Sequence, residues 1–113
     1  MRAALLFGGI PVRDYRLARE WYDAFFDREP DLLPHDTEAA WQLTDGGWVY
    51  VVAVPARAGG SLLTILVDDL DERLAALARR GIEAGPVETF ASGARKAVVT
   101  DPDGNAIGLG QAS

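Results

Sequence analysis

The 113-residue chain has no cysteine. That absence excludes disulfides, thiolate nucleophiles, iron–sulfur clusters and zinc–thiolate sites. Positive charge is also scarce, with 11 Lys and Arg against 17 Asp and Glu, a net charge of −6. An acidic chain repels phosphate backbones, and no basic cluster exceeds Arg79-Arg80 or Arg95-Lys96, so no nucleic-acid partner is expected. No apolar run approaches the ~20 residues that span a bilayer. The run from Ala3 to Phe7 is too short for a signal peptide. No membrane partner and a cytoplasmic location are therefore expected. Neither a G-x-G-x-x-G nor a P-loop pattern occurs, so nucleotide binding has no support.

What is present suits an ordinary globular protein: 49% hydrophobic and 25% charged residues. The length fits one domain, residues 1–113. Residues 3–12 have strand character. Asp14 is a good N-cap, and Leu17, Trp21, Tyr22 and Phe25 recur at helical spacing, which predicts a helix over 15–26. Residues 32–34 suggest a short strand. Residues 39–43 and 47–54 are strand-like, with Asp45-Gly46-Gly47 as the hairpin turn between them. Residues 56–60, rich in Ala and Gly, form the one linker.

After the linker the order restarts. Residues 61–67 form a strand. Asp69, with Glu72 as capping-box partner, starts a helix carrying Leu70, Leu74, Leu77 and Ala78 on one side, and Gly81 stops it. Residues 86–91, 95–100 and 105–110 give three further strands. Val12-Arg13-Asp14 is matched by Val67-Asp68-Asp69, and Gly46-Gly47 by Gly104-Asn105. The chain is thus a duplication with a period of about 55 residues. The expected fold is α+β: two βαβββ modules, 1–55 and 61–113, forming a curved mixed sheet around a cleft with helices outside.

This layout resembles the vicinal oxygen chelate superfamily, which includes glyoxalase I, the extradiol dioxygenases and the bleomycin-resistance proteins. The residues that carry the likeness are Val99 to Ile107, similar to a closing DPDG hairpin, together with Val67-Asp68-Asp69-Leu70 and Val12-Arg13-Asp14 with Trp21-Tyr22. The resemblance covers nearly the whole chain. It implies a homodimer, as family members usually form. It also implies four metal-ligand positions, two per module, which fall here on Phe7, Tyr50, Leu62 and Gly108. None offers an imidazole or carboxylate, and shifting the Tyr50 register by one reaches only Val49 or Val51. A metal-free member with no cofactor is expected.

Strand alternation sets the lining of the cleft. If Tyr50 faces it, so do Trp48 and Val52. Phe7 brings Leu5 and Gly9; Leu62 brings Thr64 and Leu66; Gly108 brings Ala106 and Gly110. These residues either line a usable pocket or fill a closed core, and the run of small residues at 106, 108 and 110 favours open space. The expected ligand-binding set is Phe7, Trp41, Trp48, Tyr50, Leu62, Thr64, Phe90 and Gly108. Trp41 is either a stacking platform or a plain strand residue, and Phe90 is either a rim or an outer residue. The expected ligand is a small hydrophobic or aromatic molecule.

Acid–base candidates are few. His35, the only histidine, stands beside Asp36 in what reads as a loop, without a placeable partner. Asp101 and Asp103 are expected to hold the turn backbone. One of Arg95 and Lys96 points inward, and alternation alone leaves open which. No catalytic residue is assigned. The alternatives are a metal-independent lyase or isomerase using Tyr50 or His35, and a non-catalytic dimeric interaction domain.

Overall fold

Asp14 starts the first helix as its position implies. Its carboxylate accepts the backbone N–H groups of Arg16 and Leu17 at 3.0 and 3.2 Å, satisfying two of the donors a helix start leaves free. The computed structural model describes residues 1–113. The elements run β1 (Leu6–Val12), α1 (Tyr15–Phe26), β2 (Leu32–His35), β3 (Glu38–Gln42) and β4 (Gly47–Ala53). A short 3-10 turn, Pro55–Arg57, follows. Then come β5 (Leu62–Leu66), α2 (Leu70–Arg79), β6 (Glu88–Thr89), β7 (Arg95–Thr100) and β8 (Ala106–Gln111).

The strands form two four-stranded mixed sheets with the same topology, β1-β4-β3-β2 and β5-β8-β7-β6. In each, the first and last strands of the module pair in parallel, the remaining pairs are antiparallel, and the helix carries the chain from the first strand to the second at the opposite edge. This is the expected α+β architecture of two βαβββ modules. No strand pairing joins β1 to β5, so the sheets remain two. No helix is long and apolar enough to cross a membrane.

Three local expectations are corrected. Asp69 and Glu72 form no capping box; the Leu70 N–H donates instead to Gln111 Oε1 at 3.0 Å, and Asp69 is taken by Arg73. The last strand delivers Gln111 to the helix start, a contact that local spacing does not encode. The strand expected over 86–91 shrinks to two residues, β6. Pro86 lacks a donor, and the Phe90 N–H turns to Ala94 O to close the following turn. His35 lies at the end of β2, not in a loop.

One core of 15 buried residues serves both modules. Ile10, Val12, Val49 and Val51 enter from the first sheet, Val99, Ile107 and Leu109 from the second, and Tyr22, Phe25, Leu70 and Leu77 from the helices. The modules therefore meet through their helix-side faces. Polar contacts fix the junction. Asn105, fully buried, accepts the N–H groups of Gly59 and Ser61 and donates to Pro11 O and Asp101. Arg80 donates to Ala24 O, and Arg13 pairs with Asp103 at 3.0 Å. Asp101 Oδ1 accepts the N–H groups of Asp103 and Asn105, the turn-holding role expected of it.

Candidate functional site: the two uncovered sheet faces

With the helices covering one side of each sheet, alternation sends the other residues to faces that nothing in the chain covers. On the first sheet, β1 and β4 pair Phe7 with Trp48 and Gly9 with Tyr50. The Phe7 and Trp48 rings stack at 5.4 Å, 21° from parallel. Phe7 is 45% exposed even so. The Tyr50 ring lies across Gly9, where a Cβ would stand 2.5 Å from Cζ. Glycine at 9 is thus a seat for the phenol. A groove of about 500 Å³ runs beside it, lined by Gly9, Pro11, Tyr50, Val52, Arg57 and Ser61. Arg57 and Ser61 were not among the sequence candidates. Arg57 belongs to the stretch between the modules, and only the return of that stretch over β1 brings it to Tyr50.

Trp41 does not belong to this face. It pairs with Val49, points under α1, is fully buried, and donates its indole N–H to Arg28 O at 3.1 Å. Of its two readings, plain strand residue is the one the coordinates give. The Trp48 Nε1–H, by contrast, is buried with no acceptor.

On the second sheet, Leu62, Thr64 and Leu66 of β5 pair with Ala106, Gly108 and Gly110 of β8. Leu62 and Leu66 are 89% and 68% exposed. Lys96 and Val98 of β7 pair with Gly110 and Gly108, which puts Lys96 on this uncovered face. Arg95 faces the helix side and pairs with Asp71 at 2.8 Å. The question left open between them is settled by the register of β7 on β8. Phe90 is 44% exposed and lines a groove of about 520 Å³ with Pro86, Val87, Glu88, Lys96 and Val98. Trp48, Thr64 and Leu66 share a third groove, about 300 Å³, beside Leu6 and Gly8 of β1. The structure therefore places Phe7, Trp48 and Tyr50 on one sheet, Leu62, Thr64 and Gly108 on the other, and Phe90 in the turn after β6.

The titratable groups named from sequence lie elsewhere. His35 Nε2 sits 2.9 Å from Glu38, at an exposed strand end. Asp101 is enclosed in the turn and Asp103 is held by Arg13. No three His, Asp or Glu side chains gather anywhere in the chain. Phe7, Tyr50, Leu62 and Gly108, the positions where resemblance would place ligands, carry no imidazole or carboxylate. The residues do not fit a divalent cation.

A sequence model of the Glyoxalase/Bleomycin resistance protein/Dioxygenase superfamily matches residues 5–109. The chain belongs to that superfamily. Among solved structures, a glyoxalase/bleomycin resistance protein from Catenulispora acidiphila DSM 44928 is 41% identical, covering 98% of this chain and 100% of its own, with a TM-score of 0.92. A bleomycin-binding protein complexed with bleomycin is 20% identical over 98% of this chain and 100% of its own, with a TM-score of 0.80. A lactoylglutathione lyase from Agrobacterium tumefaciens is 16% identical over 97% of this chain and 94% of its own, also with a TM-score of 0.80. No curated protein matches. The fold is thus shared by a bleomycin-binding protein and a lactoylglutathione lyase, and does not by itself fix an activity.

Proposed function

We propose that this superfamily member is a metal-independent small-molecule-binding protein that holds a flat, mainly apolar or aromatic compound as a homodimer. The observation that carries the reading is the Phe7–Trp48 stack with Tyr50 beside it, on a sheet face that the chain leaves uncovered. Exposed aromatic rings beside a groove suit a planar ligand, which gains by stacking as well as by burial. The groove beside Tyr50 contains no carboxylate or imidazole to exchange a proton with its hydroxyl, which favours binding over acid–base catalysis.

A second copy is the natural cover. Phe7, Leu62, Leu66 and Val98 expose large apolar surface on both uncovered faces, and patches of this kind mark association or ligand sites. A partner laid over them would turn open faces into clefts. The test is a tryptophan-fluorescence screen of the intact protein against polycyclic and aromatic compounds. Saturable quenching that Phe7→Ala weakens supports the reading. Flat titrations across the library overturn it.

A further inference from the structure

Four basic side chains are half-buried: Arg19, Arg80, Arg95 and Lys96. Three of them hold carboxylates, Asp23, Asp27 and Asp71 respectively. Lys96 holds none, in a chain with 17 acidic residues. It is also the only lysine. Glu88 lies directly across the β6–β7 ladder, yet the two make no ion pair. The Lys96 side chain instead crosses Gly108. A Cβ built there would stand 2.5 Å from Lys96 Cε, 3.3 Å from Nζ and 3.1 Å from Thr64 Oγ1. The amine end lies over the bare glycine, and the Thr64 hydroxyl borders the same glycine. Lys96 shares a groove with Val98, Phe90 and Glu88, and Gly110, opposite it on β8, lies against Leu66.

We propose that Lys96, on the uncovered face of the second sheet, is a specificity-determining cation, and that the physiological ligand is an apolar monocarboxylate whose anion docks on the Lys96 ammonium near Thr64. The inference rests on the binding function proposed above and adds the charge of the ligand. Its physics is direct. The Lys96 ammonium has no carboxylate partner within the chain, and an apolar body covering this face would bury it unpaired unless the ligand brings a carboxylate of its own. A charge-assisted hydrogen bond in a partly desolvated cleft outweighs the same contact in open water. Glycine at 108 is part of the device, because any larger residue would displace the alkyl chain. The competing explanation is that Lys96 only lays its stem on the sheet and keeps its head in water.

Two isosteric probes separate these accounts: 2-naphthoate and its neutral amide, titrated into the intact protein and followed by tryptophan quenching and calorimetry. The expected result is at least tenfold tighter binding of the carboxylate, about 1.4 kcal/mol. Lys96→Met, which keeps the length of the stem, brings the two probes within twofold of each other. Gly108→Ala, with the lysine still present, also erodes the preference. Reductive methylation with ¹³C-formaldehyde labels the single lysine, and its resonance shifts with the carboxylate and not with the amide. Equal affinities in the unmodified protein, or a preference that survives Lys96→Met, overturn the role of Lys96 and leave the binding function standing. If neither probe binds while other aromatic compounds of the screen do, the monocarboxylate proposal falls and the binding function stands.

Discussion

The Tyr22 hydroxyl donates a 2.7 Å hydrogen bond to Asp101 Oδ2, 79 residues away, and both side chains are buried. The contact ties α1 of the first module to the closing hairpin of the second. Burial, and then the neighbouring Asp101 carboxylate, push the Tyr22 phenol far above its ordinary range. Tyr22→Phe leaves a buried carboxylate oxygen short of a donor and is expected to cost about 1–3 kcal/mol, measured by urea unfolding.

The same shift fixes an alkaline limit. Unfolded tyrosine ionises near pH 10, and native Tyr22 keeps its proton well beyond that. The unfolded state releases the proton first, so stability from this group is complete below about pH 10 and falls as pH rises further. In Tyr22→Phe this alkaline slope becomes shallower. An unchanged slope would show that Tyr22 ionises in the native state.

Asn105 carries a second prediction. Its amide makes four hydrogen bonds, to Gly59, Ser61, Pro11 and Asp101, with no exposure to water. Asn105→Ala strands several buried groups at once and is expected to lose about 3 kcal/mol. Asn105→Asp is expected to be worse at neutral pH, because an oxygen then faces Pro11 O and the Asp101 carboxylate. Thermal melts at pH 7 check both.

The unpartnered Trp48 Nε1–H separates binding from stability. Trp48→Phe removes an unsatisfied donor while keeping a ring against Phe7, so it is expected to change stability by less than about 1 kcal/mol. It weakens ring stacking with a ligand all the same, and probe affinity falls. Equal affinity in Trp48→Phe would take that ring out of the site.

Metal dependence is checked by dialysis against EDTA and by adding Zn²⁺, Ni²⁺ or Mn²⁺. With no imidazole or carboxylate at the four candidate positions, melting temperature and probe affinity are expected to stay constant. A saturable rise in melting temperature with any of these ions would contradict the donor-set argument.

Association is measured by light scattering. The protein is expected to run at twice the mass of one chain, and the double variant Leu62→Glu/Leu66→Glu to run as a monomer. A monomeric native protein at tens of micromolar would remove the second copy from the proposal.

How far the sequence reaches is shown by particular residues. The Asp14 cap and the 3.6-residue spacing of the apolar positions define α1 with the bounds the structure has, because the signals are local. Alternation separates Trp48 and Tyr50 from Val49 and Val51 for the same reason. Trp41 is different. Its face depends on which residue of β4 it opposes, and that register is a property of two strands together. Lys96 and Arg95 part only once β7 is laid on β8. Gln111 capping α2, and Asn105 at the junction, involve partners more than 40 residues distant and leave no trace in local spacing. The identity of the fold is carried by short-range pattern, and the face each candidate side chain takes by register.

The common interior has a consequence for how this duplicated chain comes apart. Neither repeat can retain its own packing once the other leaves, since Tyr22, Asn105 and Arg80 each lose their partner at the same instant. A calorimeter should see one endotherm, not two. A ligand clamped on either sheet would delay the melting of both, so occupancy at one end is felt as heat resistance at the other.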